Sequence, residues 1–177
     1  MANQIDIYQA AIYVGTYAKY NNGSLFGKWL NLSDYASIEE FYEACAELHK
    51  DEHDPEYMFQ DYEHIPENLV SECGLKKEFF EIRDAIIELS EDDQTAFYIW
   101  LDHESRDFSS GEIADLIQSF QDAYIGKYDS EEDYAREIIE DCYNLPEFAL
   151  QYFDYEKYAN DLFCDGYWIH DGYVFYR

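Results

Sequence analysis

Carboxylates are the side chains whose type and spacing first suggest a function for this chain. In the stretch DSEEDYAREIIEDCY (residues 129–143), Ser130 is placed to cap a helix, and Asp133 follows three residues later. Helical periodicity puts the acidic residues on one stripe and the apolar residues on an adjacent side. The stripe consists of Asp133, Glu137, Glu140 and Asp141, and the apolar side of Tyr134, Ala135, Ile138, Ile139 and Cys142. At a rise of about 1.5 Å per residue, the stripe is roughly 12 Å long.

A single acidic stripe is most simply a solvated helix face, but the composition of the whole chain repeats the pattern. The 177 residues include 40 Asp and Glu and 11 Lys and Arg, which gives a net charge of −29. A content of 47% hydrophobic and 19% aromatic residues is too high for a disordered acidic tail, so we expect a folded protein. Self-repulsion at this charge costs stability, which indicates that the charge serves a function.

The negative charge extends along the full length of the sequence. Residues 1–70, 71–112 and 113–177 have net charges of −10, −8 and −11. DNA phosphates repel such a surface, which argues against direct binding of nucleic acid. The expected partners are basic: a cation, a basic protein, or a protein whose groove normally binds nucleic acid.

Motifs for metal binding and catalysis are incomplete in this sequence. His49, Glu52 and His53 match the H-x-x-E-H pattern of some zinc proteases, but Pro55 ends the helix that would have to present both histidines. No stretch fits the EF-hand loop, and the sequence has no G-x-S-x-G, P-loop or dinucleotide-binding motif. We therefore predict a protein that is not an enzyme, with no catalytic residue, no cofactor and no metal ligand.

The cysteines and the N-terminus suggest a cellular location. Cys45, Cys73, Cys142 and Cys164 form no C-x-x-C pair. The N-terminus has no basic stretch followed by an apolar one, and no apolar run approaches the roughly 20 residues of a membrane span. These features predict a reduced, cytoplasmic protein with four buried or half-buried thiols.

The first 70 residues are predicted to form a β-β-α-β domain. Strand-forming residues cover Ile5–Tyr17, Leu25–Leu32 and Tyr57–His64. The turn signal Asn21-Asn22-Gly23 separates the first two strands, and Ser37 caps a helix that precedes the third.

The remaining sequence predicts a helical middle domain, residues 71–112, and a mixed C-terminal domain, residues 113–177. The predicted elements are helices at Lys76–Leu89, after Ser90, at Ile113–Phe120 and after Pro146, a strand at Tyr124–Tyr128, the acidic helix, and a C-terminal hairpin. The fold class is therefore α+β, divided into three small domains with mixed ends and a helical middle.

Three blocks of the sequence resemble the ArdA family of antirestriction proteins. They are IYVGTYAKYNNGSLFGKWLNL (Ile12–Leu32), FQDYEHIP (Phe59–Pro66), and AYIGKYDSEEDYAREIIED with FDYEKYANDLFCDGYWIHDGYVFYR (Ala123–Asp141 and Phe153–Arg177). The resemblance implies an elongated homodimer with three small domains in each chain, usually carried on mobile elements. It also implies mimicry of bent B-DNA, which would block type I restriction-modification enzymes by occupying the DNA-binding groove of their methyltransferase core.

The charge of the chain agrees with this expectation. Duplex DNA carries one charge per about 1.7 Å, so 29 charges correspond to roughly 50 Å of duplex and a dimer to about 100 Å. Phosphate contacts do not read sequence, so such an inhibitor should act on enzymes with different recognition sequences. The predicted phosphate-mimic surface consists of Asp129, Glu131, Glu132, Asp133, Glu137, Glu140 and Asp141.

Three other hypotheses remain open from the sequence. An acidic chaperone or adaptor for a basic protein would have the same composition. A small hydrolase could use one of the many possible carboxylate pairs. A halophilic protein could carry its acids only to hold water at high salt, in which case the fold would be lost in dilute buffer.

Overall fold

The computed structural model describes residues 6–177 and confirms the predicted α+β class. The helices are α1 (Tyr17–Asn21), α2 (Ile38–Leu48), α3 (Phe79–Ile87), α4 (Glu91–His103), α5 (Ile113–Ala123), α6 (Glu131–Cys142), α7 (Glu147–Leu150) and α8 (Tyr155–Asp165). The strands are β1 (Ala11–Thr16), β2 (Lys28–Asn31), β3 (Tyr57–Glu63), β4 (Val70–Ser71), β5 (Gly74–Leu75), β6 (Tyr124–Lys127), β7 (Tyr167–His170) and β8 (Tyr173–Tyr176). Short 3-10 helices lie at Ile7–Gln9, Leu32–Asp34 and Glu67–Leu69.

The chain divides into two compact units. Of the described residues, 6–95 and 106–114 form unit 1, and residues 96–105 and 115–177 form unit 2. The three-domain division of the sequence stays a prediction.

Unit 1 is built around a three-stranded antiparallel sheet in the order β2-β1-β3. Ile12 and Val14 on β1 and Phe59 on β3 point to one side of the sheet, where α2 covers them. Phe41 on α2 packs edge-on against Phe59, with ring centroids 5.8 Å apart. The Ser37 hydroxyl accepts a hydrogen bond from the Glu40 amide at 3.3 Å, so α2 begins at the predicted cap.

The N-terminal strand is shorter than predicted because side chains at both of its ends form competing local hydrogen bonds. Asp6 accepts a hydrogen bond from the Tyr8 amide and starts the 3-10 helix Ile7–Gln9. Thr16 caps α1 by accepting from the Lys19 amide at 3.2 Å. The predicted strand Ile5–Tyr17 is therefore a strand only over Ala11–Thr16, and Ile5 lies outside the described residues. A short helix, α1, also lies between the first two strands.

Arg83 connects helix α3 of unit 1 to the segment that follows β2. This side chain is buried, and its Nη1 atom donates to the carbonyl oxygens of Leu32 at 2.7 Å and Tyr35 at 2.9 Å. Its guanidinium also pairs with Asp84 at 2.6 Å and lies 4.7 Å from the ring centroid of Phe80. A single cation thus connects segments about 50 residues apart. Neither this contact nor the small β4-β5 hairpin has a local signal in the sequence.

Unit 2 contains a second antiparallel sheet, in the order β6-β8-β7, with apolar side chains on both faces. Val174 on β8 packs with Tyr134 of α6 and Phe163 of α8 in one cluster. Phe175, its neighbour on β8, instead stacks on Trp168 at 4.1 Å and lies 5.4 Å from Tyr124. Successive side chains of β8 point to opposite faces of the sheet, so Val174 and Phe175 pack in two different apolar layers.

The C-terminal hairpin is confirmed, and its turn explains two residues with positive φ. Asp171 and Gly172 link β7 to β8 with φ values of 48° and 86°, a combination typical of a two-residue hairpin turn. A Cβ atom at Gly172 would lie 2.9 Å from the carbonyl oxygen of Tyr128. Glycine is therefore required there both for φ and for close packing.

The prediction of four buried or half-buried thiols is correct only for Cys45. Burial raises the pKa of the Cys45 thiol to about 12. Cys73, Cys142 and Cys164 are exposed. They lie in the β4-β5 turn, at the last residue of α6 and in the last turn of α8, where the backbone leaves the core. No helix in the described part of the chain is long and apolar enough to span a membrane.

Replacement of Arg83 by methionine should destabilise the protein. We expect Arg83→Met to lower the free energy of unfolding by about 1.5–3 kcal/mol, because two hydrogen bonds from a charged donor are lost. Urea denaturation followed by circular dichroism measures the change. The control Lys77→Met removes the same charge from a side chain that is 83% exposed, and should change the free energy by less than about 0.5 kcal/mol. Equal losses in the two variants would contradict the structural role of Arg83.

Candidate functional site

The acidic helix begins at the predicted cap, with one difference in detail. The Ser130 hydroxyl accepts from the Asp133 amide at 3.1 Å and also lies 2.7 Å from the Asp133 carboxylate, to which it donates. In a full capping box the carboxylate would reach back to the amide of the cap residue. Here the Asp133 carboxylate instead accepts a hydrogen bond from the Ser130 hydroxyl. The N-terminus of α6 is nevertheless held in place, and the Asp133 carboxylate with it.

The inner side of α6 packs against aromatic residues of unit 2. Tyr134, Ala135 and Ile139 are buried as predicted. The Tyr134 ring lies edge-on to Phe163 at 6.0 Å and to Tyr167 at 5.1 Å. These contacts fix the rotation of α6 about its axis, and therefore the direction in which its carboxylates point.

The seven predicted phosphate-mimic residues lie on α6 and just before it. Glu131 is half-buried and the other six are exposed. Among the ion pairs of residues 6–177, none includes any of the seven carboxylates. Their charge is therefore available to a partner. Whether a partner binds there stays a prediction.

The linear charge density of α6 is similar to that of one DNA strand. Between Glu131 and Asp141, six carboxylates and the single cation Arg136 give a net charge of −5. This segment is about 15 Å long, so it carries about one charge per 3 Å of helix axis. One strand of B-DNA carries one charge per about 3.4 Å.

Arg136 and Tyr128, which lie next to these carboxylates, each make a contact that limits their movement. The Arg136 guanidinium lies 4.0 Å from the ring centroid of Tyr155 on α8. Its positive charge is thus held against an aromatic ring. The Tyr128 hydroxyl donates to the Glu137 carboxylate at 2.8 Å. Burial and this hydrogen bond raise the pKa of Tyr128 to about 12, so the hydroxyl keeps its proton and continues to donate.

The residues of the H-x-x-E-H motif surround a lysine. His49 is fully buried, and its Nε2 atom donates to the carbonyl oxygen of Val14 at 3.2 Å, which leaves Nδ1 as an acceptor. The Lys19 ammonium lies 2.9 Å from that Nδ1 atom, 2.8 Å from Asp51 and 3.2 Å from Glu52.

This geometry resembles a metal site in which an ammonium group takes the place of the ion. One ligand atom each from His49, Asp51 and Glu52 lies within 4.8 Å of the others. The three donor protons of Lys19 match these three acceptors. His53, the second histidine of the motif, is exposed and does not belong to the group. The motif therefore serves to bind Lys19, a role that no local sequence pattern could indicate.

The described geometry is that of an α+β protein that displays, on one helix, a row of carboxylates outside the ion pairs of residues 6–177. A comparison of the sequence with models of known protein families gives a match to "Antirestriction protein (ArdA)" over residues 12–175. The chain therefore belongs to the ArdA family of antirestriction proteins, as the sequence blocks suggested. A comparison with curated proteins gave no match.

The ion pair between Lys19 and Asp51 should make stability depend on pH. The Lys19 ammonium donates to Asp51 and lowers the pKa of that carboxyl below its ordinary value of about 3.9. The stabilisation is therefore fully present above that ordinary value and is lost as the pH falls through the lower pKa of the folded state. We expect Asp51→Asn to be less stable than the wild type at pH 7, with the gap closing below pH of about 4.

Urea midpoints measured from pH 7 down to pH 2 test this expectation. Asp34→Asn is the matched control, because Asp34 is exposed and belongs to none of the ion pairs described above. Its difference from the wild type should not change with pH. A gap for Asp51→Asn that persists at the lowest pH would show that the ion pair is not its cause.

Proposed function

We propose that this antirestriction protein is a DNA mimic that blocks type I restriction-modification enzymes by occupying the DNA-binding groove of their methyltransferase core. The observation that carries the proposal is the row of seven carboxylates on and before α6, which form no ion pair among residues 6–177. The contacts of Tyr134, Ala135 and Ile139 hold this row in one orientation. The protein acts by occupancy and catalyses no reaction.

Electrostatics explains why such a surface competes well with DNA. A groove that binds DNA presents Lys and Arg side chains to phosphates, and these contacts supply most of the sequence-independent affinity. Carboxylates at a similar linear density attract the same side chains and steer the encounter from a distance. Because α6 is already folded, it loses little conformational entropy when it binds.

The homodimer implied by the family resemblance also forms part of the proposal. Two copies that each carry a charge of −29 repel one another, so they can associate only through a surface poor in charge. Residues 142–153 contain a single charged residue, Glu147. In this segment Phe148 and Tyr152 are 73% and 76% exposed, with ring centroids 5.1 Å apart. Such exposed aromatic side chains suit contact with a second copy.

Competition with DNA tests the proposed function directly. Purified protein should displace labelled duplex DNA from a type I methyltransferase, and a mixture of enzymes with different recognition sequences should be inhibited alike. The affinity for the enzyme should fall steadily between 50 mM and 500 mM salt, because screening weakens the attraction between exposed charges. Inhibition without displacement of DNA, or inhibition that is unchanged by salt, would contradict the mechanism.

Neutralisation of the α6 stripe should weaken inhibition gradually. Asp133→Asn, Glu137→Gln and Asp141→Asn remove three charges spaced four residues apart. Each single change should reduce affinity only about 1.5–5-fold, and the triple variant about 3–125-fold, because each exposed charge contributes about 0.2–1 kcal/mol. Thermal stability should change little, since these like charges repel one another along the helix.

A matched triple variant on α2 separates the effect of position from that of net charge. Glu39, Glu43 and Glu47 have the same spacing and are all exposed. Their replacement by glutamine changes the net charge by the same amount in unit 1. Equal losses from the α2 and α6 triples would show that α6 has no special role. Complete loss of inhibition from one α6 substitution in a folded protein would contradict a distributed surface.

A further inference from the structure

An open cleft lies on unit 1, on the side of the sheet opposite to α2. Its volume is about 460 Å³, within the range of roughly 300–1,000 Å³ that is typical of ligand sites. Aromatic walls come from Tyr8 and Trp29, and a carboxylate comes from Glu63.

The register of the sheet produces the cleft. Ala11 on the central strand β1 pairs with Asn31 on one side and with Glu63 on the other. A small residue therefore lies between two longer ones, and it forms a floor that the flanking side chains surround. In the next row on the same face, Tyr13 pairs with Trp29 and with Asp61.

Trp29 is held in position but remains accessible. Its ring packs edge-on against Tyr13, with centroids 5.7 Å apart and an interplanar angle of 73°. The side chain is nevertheless 37% exposed, and Tyr8 is 61% exposed. A ring fixed through its neighbour and open to solvent is suited to stack against a ligand.

The polar groups of the cleft specify the charge of the ligand. Glu63 is exposed, and the lining contributed by residues 6–177 contains no Lys or Arg. The Nδ1 atom of His64 accepts from the Asp6 amide at 3.4 Å. Unit 1 as a whole has 23 acidic and 7 basic residues, a net charge of −16. An anion would be repelled from this site, whereas a cation would be attracted.

A guanidinium group matches the cleft better than a compact ammonium ion. It is planar and stacks on an indole ring, and its five N–H donors can reach several acceptors at once. The lining offers the carboxylate of Glu63 together with the side-chain oxygens of Gln9, Asn31 and Ser33. A strongly hydrated ammonium ion would gain less from the aromatic walls.

We propose that this cleft binds a guanidinium group, and that the group is an arginine side chain of the restriction enzyme. That the group belongs to the restriction enzyme rests on the proposed function, whereas the binding of guanidinium by the cleft does not. An arginine that normally contacts a DNA phosphate would insert between Tyr8 and Trp29 and pair with Glu63.

Titration with N-acetyl-argininamide tests the cleft without any enzyme. The chain has three tryptophans, Trp29, Trp100 and Trp168, whose indole N–H signals are separable by NMR and assignable by single Trp→Phe substitutions. We expect the Trp29 signal to shift saturably while the other two do not. N-acetyl-citrullinamide is the matched ligand control, because it has nearly the same shape without the charge. It should bind at least about 5-fold more weakly.

Substitution of the carboxylate supplies the matched protein control. Glu63→Gln should weaken binding of N-acetyl-argininamide about 5-fold, because it removes the one acidic side chain among the described residues that line the cleft. Glu67→Gln makes the same charge change at an exposed residue outside the cleft, and should leave the affinity within about 1.5-fold. Equal binding of the citrulline compound, equal effects of the two substitutions, or an unmoved Trp29 signal would each overturn the cleft as a guanidinium site.

The role of the cleft in inhibition is a separate measurement. Glu63→Gln should reduce inhibition of a type I enzyme by about the same factor as it reduces binding of the arginine compound, and Glu67→Gln should not. If the arginine compound binds but the two variants inhibit equally, the enzyme does not use the cleft. If the wild-type protein fails to inhibit at all, the proposed function fails, and the NMR titration still decides whether the cleft binds guanidinium.

Discussion

Repulsion among carboxylates is the constraint under which this protein folds. Unit 1 has a net charge of −16 and unit 2 a net charge of −13, so neither can be neutralised from within. Aromatic packing offsets the repulsion in both units. Phe41 and Phe59 join α2 to the sheet of unit 1, and Phe97 and Phe120 lie edge-on at 5.4 Å in unit 2. Because aromatic rings bury large areas in few residues, they leave many positions free for acidic side chains.

Several of the few basic residues are held by contacts within the fold. At least four of the eleven lie over aromatic rings: Lys19, Arg83, Lys127 and Arg136. Lys19 also binds a buried histidine, and Arg83 binds two backbone carbonyl groups. With 40 acidic and 11 basic residues, most carboxylates have no ion-pair partner within the chain wherever the cations lie.

Local sequence signals predicted most of the secondary structure, whereas long-range contacts could not be predicted. Ser37 and Ser130 cap their helices as expected, because a cap depends on residues three positions apart. The H-x-x-E-H pattern gives no indication of the contact that His49 makes, because Lys19 lies 30 residues before it. The cleft likewise depends on the register of three strands, which sets Ala11 between Asn31 and Glu63. Exposed carboxylates are easy to identify in a sequence, whereas the contacts that the cations make in the fold are not.

A mimic that only reproduces the charge of DNA would bind a DNA groove about as well as DNA does. Genomic DNA offers a very large number of competing sites, so equal affinity gives weak inhibition. In the proposed mechanism the carboxylates of α6 would act at long range and be screened by salt, so their main effect would be on the rate of encounter. An aromatic cleft acts only on contact and makes an interaction that a phosphate backbone does not offer to an arginine. Such a contact slows dissociation, which is where most differences in affinity between related complexes arise. In the proposed mechanism, charge similarity would bring the enzyme to the inhibitor, and the aromatic contact would give the inhibitor its advantage over DNA.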